Sequence, residues 1–196
     1  MNARIPLGMF VLLGCAQKAP PVVIEPRTTR YNEQEYAPYA SQGTSSITGQ
    51  AFLKTRGGDV KYGAGNEIVL TPRTSYSSEW WTKAVLQDHV LAPGDSLAEG
   101  FSGYTVADGE GRFRFDSLPA GEYFVITEVS WEVPAPSGRS YLLERTGALV
   151  GQGVAVRPGQ SVQVILPQVR SIEKIPVPRS DSTKQTHKKS RRRGQP

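Results

Sequence analysis

Cysteine is all but missing: Cys15 is the single copy in 196 residues. One thiol excludes a disulfide within the chain and any zinc site built on cysteine pairs. Histidine is nearly as scarce, with His89 and His187 alone. No H-E-x-x-H or H-x-x-x-H spacing exists, and no serine stands in a G-x-S-x-G turn. Glycines 63, 65, 151 and 153 are scattered as turns and strand ends rather than gathered into a phosphate loop. Glu79, Asp88, Asp95 and Glu99 read as a solvated acidic edge, and His89 as a surface or capping residue. The expectation is a non-catalytic protein with no metal and no cofactor. Long apolar runs are lacking too, so no segment has the roughly 20 apolar residues of a spanning helix.

What is present begins with an export pattern. Arg4 supplies a positive charge, Ile5 to Leu13 a short apolar run, and Gly14 a small residue before Cys15. These are the parts of a secretory leader, expected over 1–14. Leu12-Leu13-Gly14-Cys15 resembles the bacterial lipobox. That resemblance implies cleavage before Cys15 and lipidation of it, with several acyl chains giving a stable membrane anchor. Ala16, where an aspartate would imply inner-membrane retention, implies an outer-membrane location facing the periplasm.

Residues 15–44 read as a flexible tether. Pro20, Pro21 and Pro26 break helices, and the polar stretch after Arg27 shows no sustained period. Fully extended, it would hold a domain on the order of 90 Å from the membrane. The other end, 169–196, reads as a disordered basic tail. Residues 173–196 hold eight Lys/Arg against two acids. The whole chain is +5, so residues 1–172 are near neutral. The body therefore lacks the basic footprint of nucleic-acid binding. Lys188, Lys189, Arg191, Arg192 and Arg193 form a candidate contact for anionic envelope surfaces, or a solvated tail.

Between these ends, residues 45–168 alternate short β-rich runs with turn signals. Strands are expected at 46–53, 67–71, 104–107, 112–115 and 122–131, and a closing hairpin joins 153–156 to 162–166 around Arg157-Pro158-Gly159-Gln160. Phe113 and Phe115 should face a core and Arg112 and Arg114 water. Along the long strand, Tyr123, Val125, Thr127, Val129 and Trp131 share one face. A short helix is expected within an insertion at 73–100, with Ser75 as its N-cap.

Thr105 to Phe115, followed by Leu118-Pro119-Ala120-Gly121-Glu122-Tyr123, resembles the carboxypeptidase regulatory-like domain, with its D-x-x-G-x-F-x-F turn and L-P-x-G-x-Y continuation. The resemblance spans roughly 47–167. It implies an all-β fold: an antiparallel, prealbumin-like Greek-key sandwich of about seven strands, grouped with carbohydrate-binding-like folds. The insertion departs from the family pattern.

Within that insertion, Tyr76, Trp80 and Trp81 are the candidate contacts for a ligand or partner. Adjacent tryptophans point about 100° apart on a helix, so one plugs the sandwich and the other offers a flat ring, or both form a small core. The function expected is that of a protein-interaction or structural module of the envelope, and the alternative is a module binding cell-wall or lipopolysaccharide glycan.

Overall fold

The computed structural model describes residues 22–135 and 143–176, of 173–176 the backbone alone. Cys15, the leader and the basic cluster at 188–193 lie outside the described residues.

The architecture is an all-β sandwich of two sheets. One is built on β2 (Ser45–Lys54), flanked by β7 (Arg112–Leu118) and β10 (Ser161–Leu166), with β3 (Val60–Tyr62) extending its far end. The other runs β11 (Gln168–Pro176), β9 (Leu143–Val156), β8 (Gly121–Pro134), β4 (Glu67–Pro72), β6 (Gly103–Val106). All seven strands expected from alternation form. The core lies between the sheets: Ile47, Ala51, Phe113, Phe115 and Leu166 meet Ile68, Leu70, Val125, Val129 and Val150. Phe113 and Phe115 point inward and the arginines between them outward, as the alternation requires.

The D-x-x-G turn is held by one carboxylate. Asp108 Oδ1 accepts the N–H groups of Glu110 (2.9 Å) and Arg112 (2.8 Å). Gly111 has φ +74°, and a Cβ there would run into the Ala51 carbonyl. In the next turn the left-handed residue is Ser117, φ +58°. Gly121 is needed for another reason: a Cβ would sit 2.6 Å from the Tyr39 ring. The Tyr123 hydroxyl donates to the Pro119 carbonyl at 2.8 Å and locks the crossover.

Several boundaries differ from the sequence expectation. The closing hairpin does not form, because β9 and β10 lie in different sheets. The 157–160 turn crosses between them, tied down by Ser45 Oγ donating to Arg157 O (2.7 Å) and Ser46 N to Gln160 O (3.0 Å). β10 then pairs parallel with β2, Ser161 opposite Ser46, in an otherwise antiparallel sandwich. The expected basic tail begins later than 169, since β11 pairs with β9 as an edge strand.

The largest correction concerns the tether. From residue 22 onward it is a folded strap. It carries β1 (Ile24–Glu25), paired parallel with β5 (Val90–Leu91), then α1 (Glu33–Tyr36) and a 3-10 turn over Ala37–Tyr39. Tyr36 is 1% exposed, stacked on Tyr31 at 5.0 Å and tilted against Phe101 at 4.9 Å. Tyr39 meets Tyr123 edge-on at 5.3 Å. Aromatic burial offsets an ordering entropy that the polar composition alone could not.

Candidate functional site

The insertion lies over the outer face of the five-stranded sheet. Pro72 ends β4, and Thr74 caps α2 (Ser75–Trp80), one residue earlier than expected. Thr74 Oγ1 accepts from Ser77 N at 3.2 Å and Ser77 Oγ from Thr74 N at 2.8 Å, a reciprocal capping pair. The helix then widens into a π turn over Trp81–Leu86. The two tryptophan ring centroids stand 6.3 Å apart at 65°.

Trp81 faces the sheet. Its ring stacks on Phe124 at 4.5 Å and 6°. Gly151 leaves room for it, a Cβ there falling 3.1 Å from the indole edge. Phe124 and Ile126 are therefore buried on the outer face while Tyr123, Val125 and Thr127 are buried on the inner one, and β8 is covered on both sides. Trp80 points elsewhere. It borders a cleft of about 210 Å³ between strap, insertion and the free edge strand β6. Arg27, Tyr76, Glu99, Ser102 and Tyr104 are among the other walls.

The cleft is framed by rigid elements. Tyr76 is a buried wall whose hydroxyl accepts the Asp95 N–H at 2.6 Å, at the cap of α3 (Ser96–Glu99). Arg27 lays its guanidinium over the Tyr76 ring at 4.7 Å and donates Nε–H to the Ala92 carbonyl at 3.1 Å. Its Nη1 is buried and has no hydrogen-bond partner among the described residues. Tyr104 stands on β6 with 58% of its surface exposed. The arrangement joins aromatic side chains to one guanidinium, one carboxylate and several hydroxyls. Among the described residues no group of three or more His, Cys, Asp or Glu side chains could hold a metal ion. His89 lies apart from the cleft walls, exposed, with Nδ1 3.0 Å from Glu25 Oε1.

Of the three residues expected as contacts, Tyr76 and Trp80 come together at the cleft and Trp81 does not line it. Arg27, Glu99, Ser102 and Tyr104 were not foreseen. The signal for the strap's share was Tyr31, Tyr36 and Tyr39, three aromatics that a solvated tether has no use for.

Two carboxylates clamp the strap to the insertion. Glu35 accepts from Ser75 N (2.6 Å) and Ser75 Oγ (2.7 Å), bonds that hold its carboxyl below the ordinary glutamate range. Glu79, no part of a solvated edge, keeps only 6% of its side chain exposed. It accepts from Thr28 N (2.8 Å), Thr28 Oγ1 (2.7 Å), Thr29 N (2.7 Å) and Lys83 Nζ (2.8 Å). Burial pushes its carboxyl up, but the Lys83 ammonium and the threonine donors outweigh that and hold it far below the usual value. A folded-state pKa depressed in this way adds stability that is complete above the unfolded value of about 4.3 and fades as pH falls below it. Glu79→Gln should cost about 1.5–3 kcal/mol at neutral pH. In urea titrations the gap between wild type and variant should narrow in acid. A gap independent of pH would show that the carboxylate charge does not hold the strap.

No protein-family model matches the chain, and no curated protein matches it. Among solved structures it is similar to that of a "putative carbohydrate binding protein" from Pseudomonas aeruginosa, at 25% identity over 70% of this chain and 97% of that one, with a TM-score of 0.62. The described chain shares the β-sandwich fold of that protein.

Proposed function

We propose that the chain is a non-catalytic envelope module that binds carbohydrate in the cleft bordered by Trp80 and Tyr104. The observation that carries this reading is the pairing of the Trp80 and Tyr104 side chains with Arg27, Glu99 and Ser102 in one cleft. A sugar ring has an apolar C–H face that packs on an aromatic and a rim of hydroxyls that need both donors and acceptors. The guanidinium donates, the carboxylate accepts and Ser102 does either. The similarity to the Pseudomonas aeruginosa protein supports the same reading. The D-x-x-G-x-F-x-F and L-P-x-G-x-Y motifs support a carboxypeptidase regulatory-like assignment for the sandwich. Anchoring through Cys15 to the outer membrane, facing the periplasm, and contact of the 188–193 cluster with anionic surfaces belong to the proposal, on the leader and tail sequences.

A protein-interaction role is the second reading. It is favoured by the outer edge of β6, which pairs with no strand among the described residues and where Tyr104 and Val106 stand exposed. Glycan arrays followed by calorimetry with envelope oligosaccharides test the first reading. Trp80→Ala should weaken binding at least tenfold, about 1.4 kcal/mol, with the fold intact by circular dichroism. Unchanged affinity in Trp80→Ala and Tyr104→Ala would remove the cleft from consideration. Absence of any glycan binding, with a protein crosslinked at Tyr104 in membranes, would establish the second reading instead.

A further inference from the structure

The strap begins with three consecutive aliphatic side chains, Val22, Val23 and Ile24, and Ile24 pairs with Val90 across the β1–β5 ladder. These four are between 47% and 72% exposed. An isolated exposed aliphatic is ordinary, whereas several in one ridge mark a contact surface. The ridge is part of the folded body. Ala92 N donates to Glu25 O at 2.7 Å, Arg27 reaches the Ala92 carbonyl, and His89 stands 3.0 Å from Glu25.

We infer that this ridge rests on the lipid bilayer in which Cys15 is anchored, an inference that rests on the anchoring reading above. The occupant is indicated by the chain that leads to it. Only residues 16–21 separate Cys15 from Val22. At 3.3–3.6 Å per residue the anchor lies within about 25 Å of the ridge. Residues 19–24, Ala-Pro-Pro-Val-Val-Ile, carry no charge that would hold this part of the body in water. The ridge is thus the described surface nearest in sequence to the anchor, and its own side chains are apolar. Apolar side chains so placed leave water for the boundary between headgroups and acyl chains. Docking also orients the module. Arg27 follows Ile24 by three residues, about 10 Å at most, so the cleft would open beside the headgroups.

The test uses the full-length lipidated protein in vesicles of phosphatidylethanolamine and phosphatidylglycerol. With the Cys15 sulfur acylated, a single introduced thiol takes an environment-sensitive dye. Val90→Cys places it on the ridge. Ile165→Cys places it on the outer face of the opposite sheet, where Ile165 pairs with Gln50. Both proteins should float with the vesicles. Brominated phospholipids should quench the dye at position 90 several-fold more than at position 165, and adding Ile24→Asp should abolish that difference without releasing the protein. Equal quenching at the two positions in a protein that floats overturns the docking and leaves the anchor standing. A protein that does not float overturns the anchor, and the docking with it. A dye at position 90 already shielded in plain buffer, in an unlipidated Cys15→Ser chain lacking residues 1–14 and free of detergent and vesicles, overturns the proposal in favour of the upstream segment or a second copy.

Discussion

Phe113→Ala should destabilise the sandwich by about 3–5 kcal/mol, a large share of the roughly 5–15 kcal/mol that holds an ordinary domain together. Phe113 is 5% exposed and meets Phe115 at 6.1 Å. Opposite it in register is Gly49, where any Cβ would collide with the Phe113 ring. The glycine exists to admit the ring, so removing the ring leaves a void that neighbouring backbone cannot close. Arg112, the preceding residue, pairs with Asp108 and Glu110 in solvent. Arg112→Ala should stay within about 1 kcal/mol of wild type, as exposed ion pairs do. Equilibrium urea unfolding measures both. Equal losses would mean that the strand has the opposite phase.

Tyr36→Ala should have an effect of similar size, about 3–5 kcal/mol, but confined to the strap and insertion. The ring fills the space between Tyr31 and Phe101, and its hydroxyl accepts a hydrogen bond from Thr74 Oγ1 at 3.1 Å. Burial raises the Tyr36 hydroxyl above its ordinary pKa, so the group stays a neutral partner of Thr74. Tyr36→Phe should cost only about 0.5–1.5 kcal/mol, the worth of that one bond. Limited proteolysis separates the outcomes. Tyr36→Ala should expose cuts between 27 and 44 at protease levels that spare wild type, while the sandwich from 45 onward remains. A cutting pattern like wild type's would mean that the ring does not secure the strap. Because Arg27 and Tyr36 line the cleft, strap release should also abolish any binding there.

The parts legible in the sequence were those set by local alternation. Phe113 and Phe115 against Arg112 and Arg114 gave away a half-buried strand, and the D-x-x-G turn sat where its glycine is needed. Local pattern could not say which sheet a strand joins. Val162 and Val164 alternate equally well as the return arm of a hairpin or as the parallel neighbour of β2, and the bonds of Ser45 and Ser46 to the 157–160 turn decide the matter. β11 was invisible because an edge strand is held by backbone bonds to β9 and needs little apolar content. The strap was misread because its stability comes from partners 40 to 83 positions away: Ser75 for Glu35, Glu79 for Thr28 and Thr29, Glu122 for Tyr39. For Trp80 and Trp81 the sequence left two readings open, and only the stack of Trp81 on Phe124 beside Gly151 assigns the sheet to one and the cleft to the other.

The parallel partnership of β2 with β10 has a consequence for synthesis. A ribosome releases residues 45–54 first and 161–166 more than a hundred residues later, so one side of the opening strand stays bare during most of the chain's emergence. β7 arrives in between and covers only the other side. Topologies that depend on such distant pairings complete slowly, in milliseconds to seconds. Throughout that window the bare edge can recruit the same strand of another nascent chain. The sandwich therefore completes only after residue 166 is free.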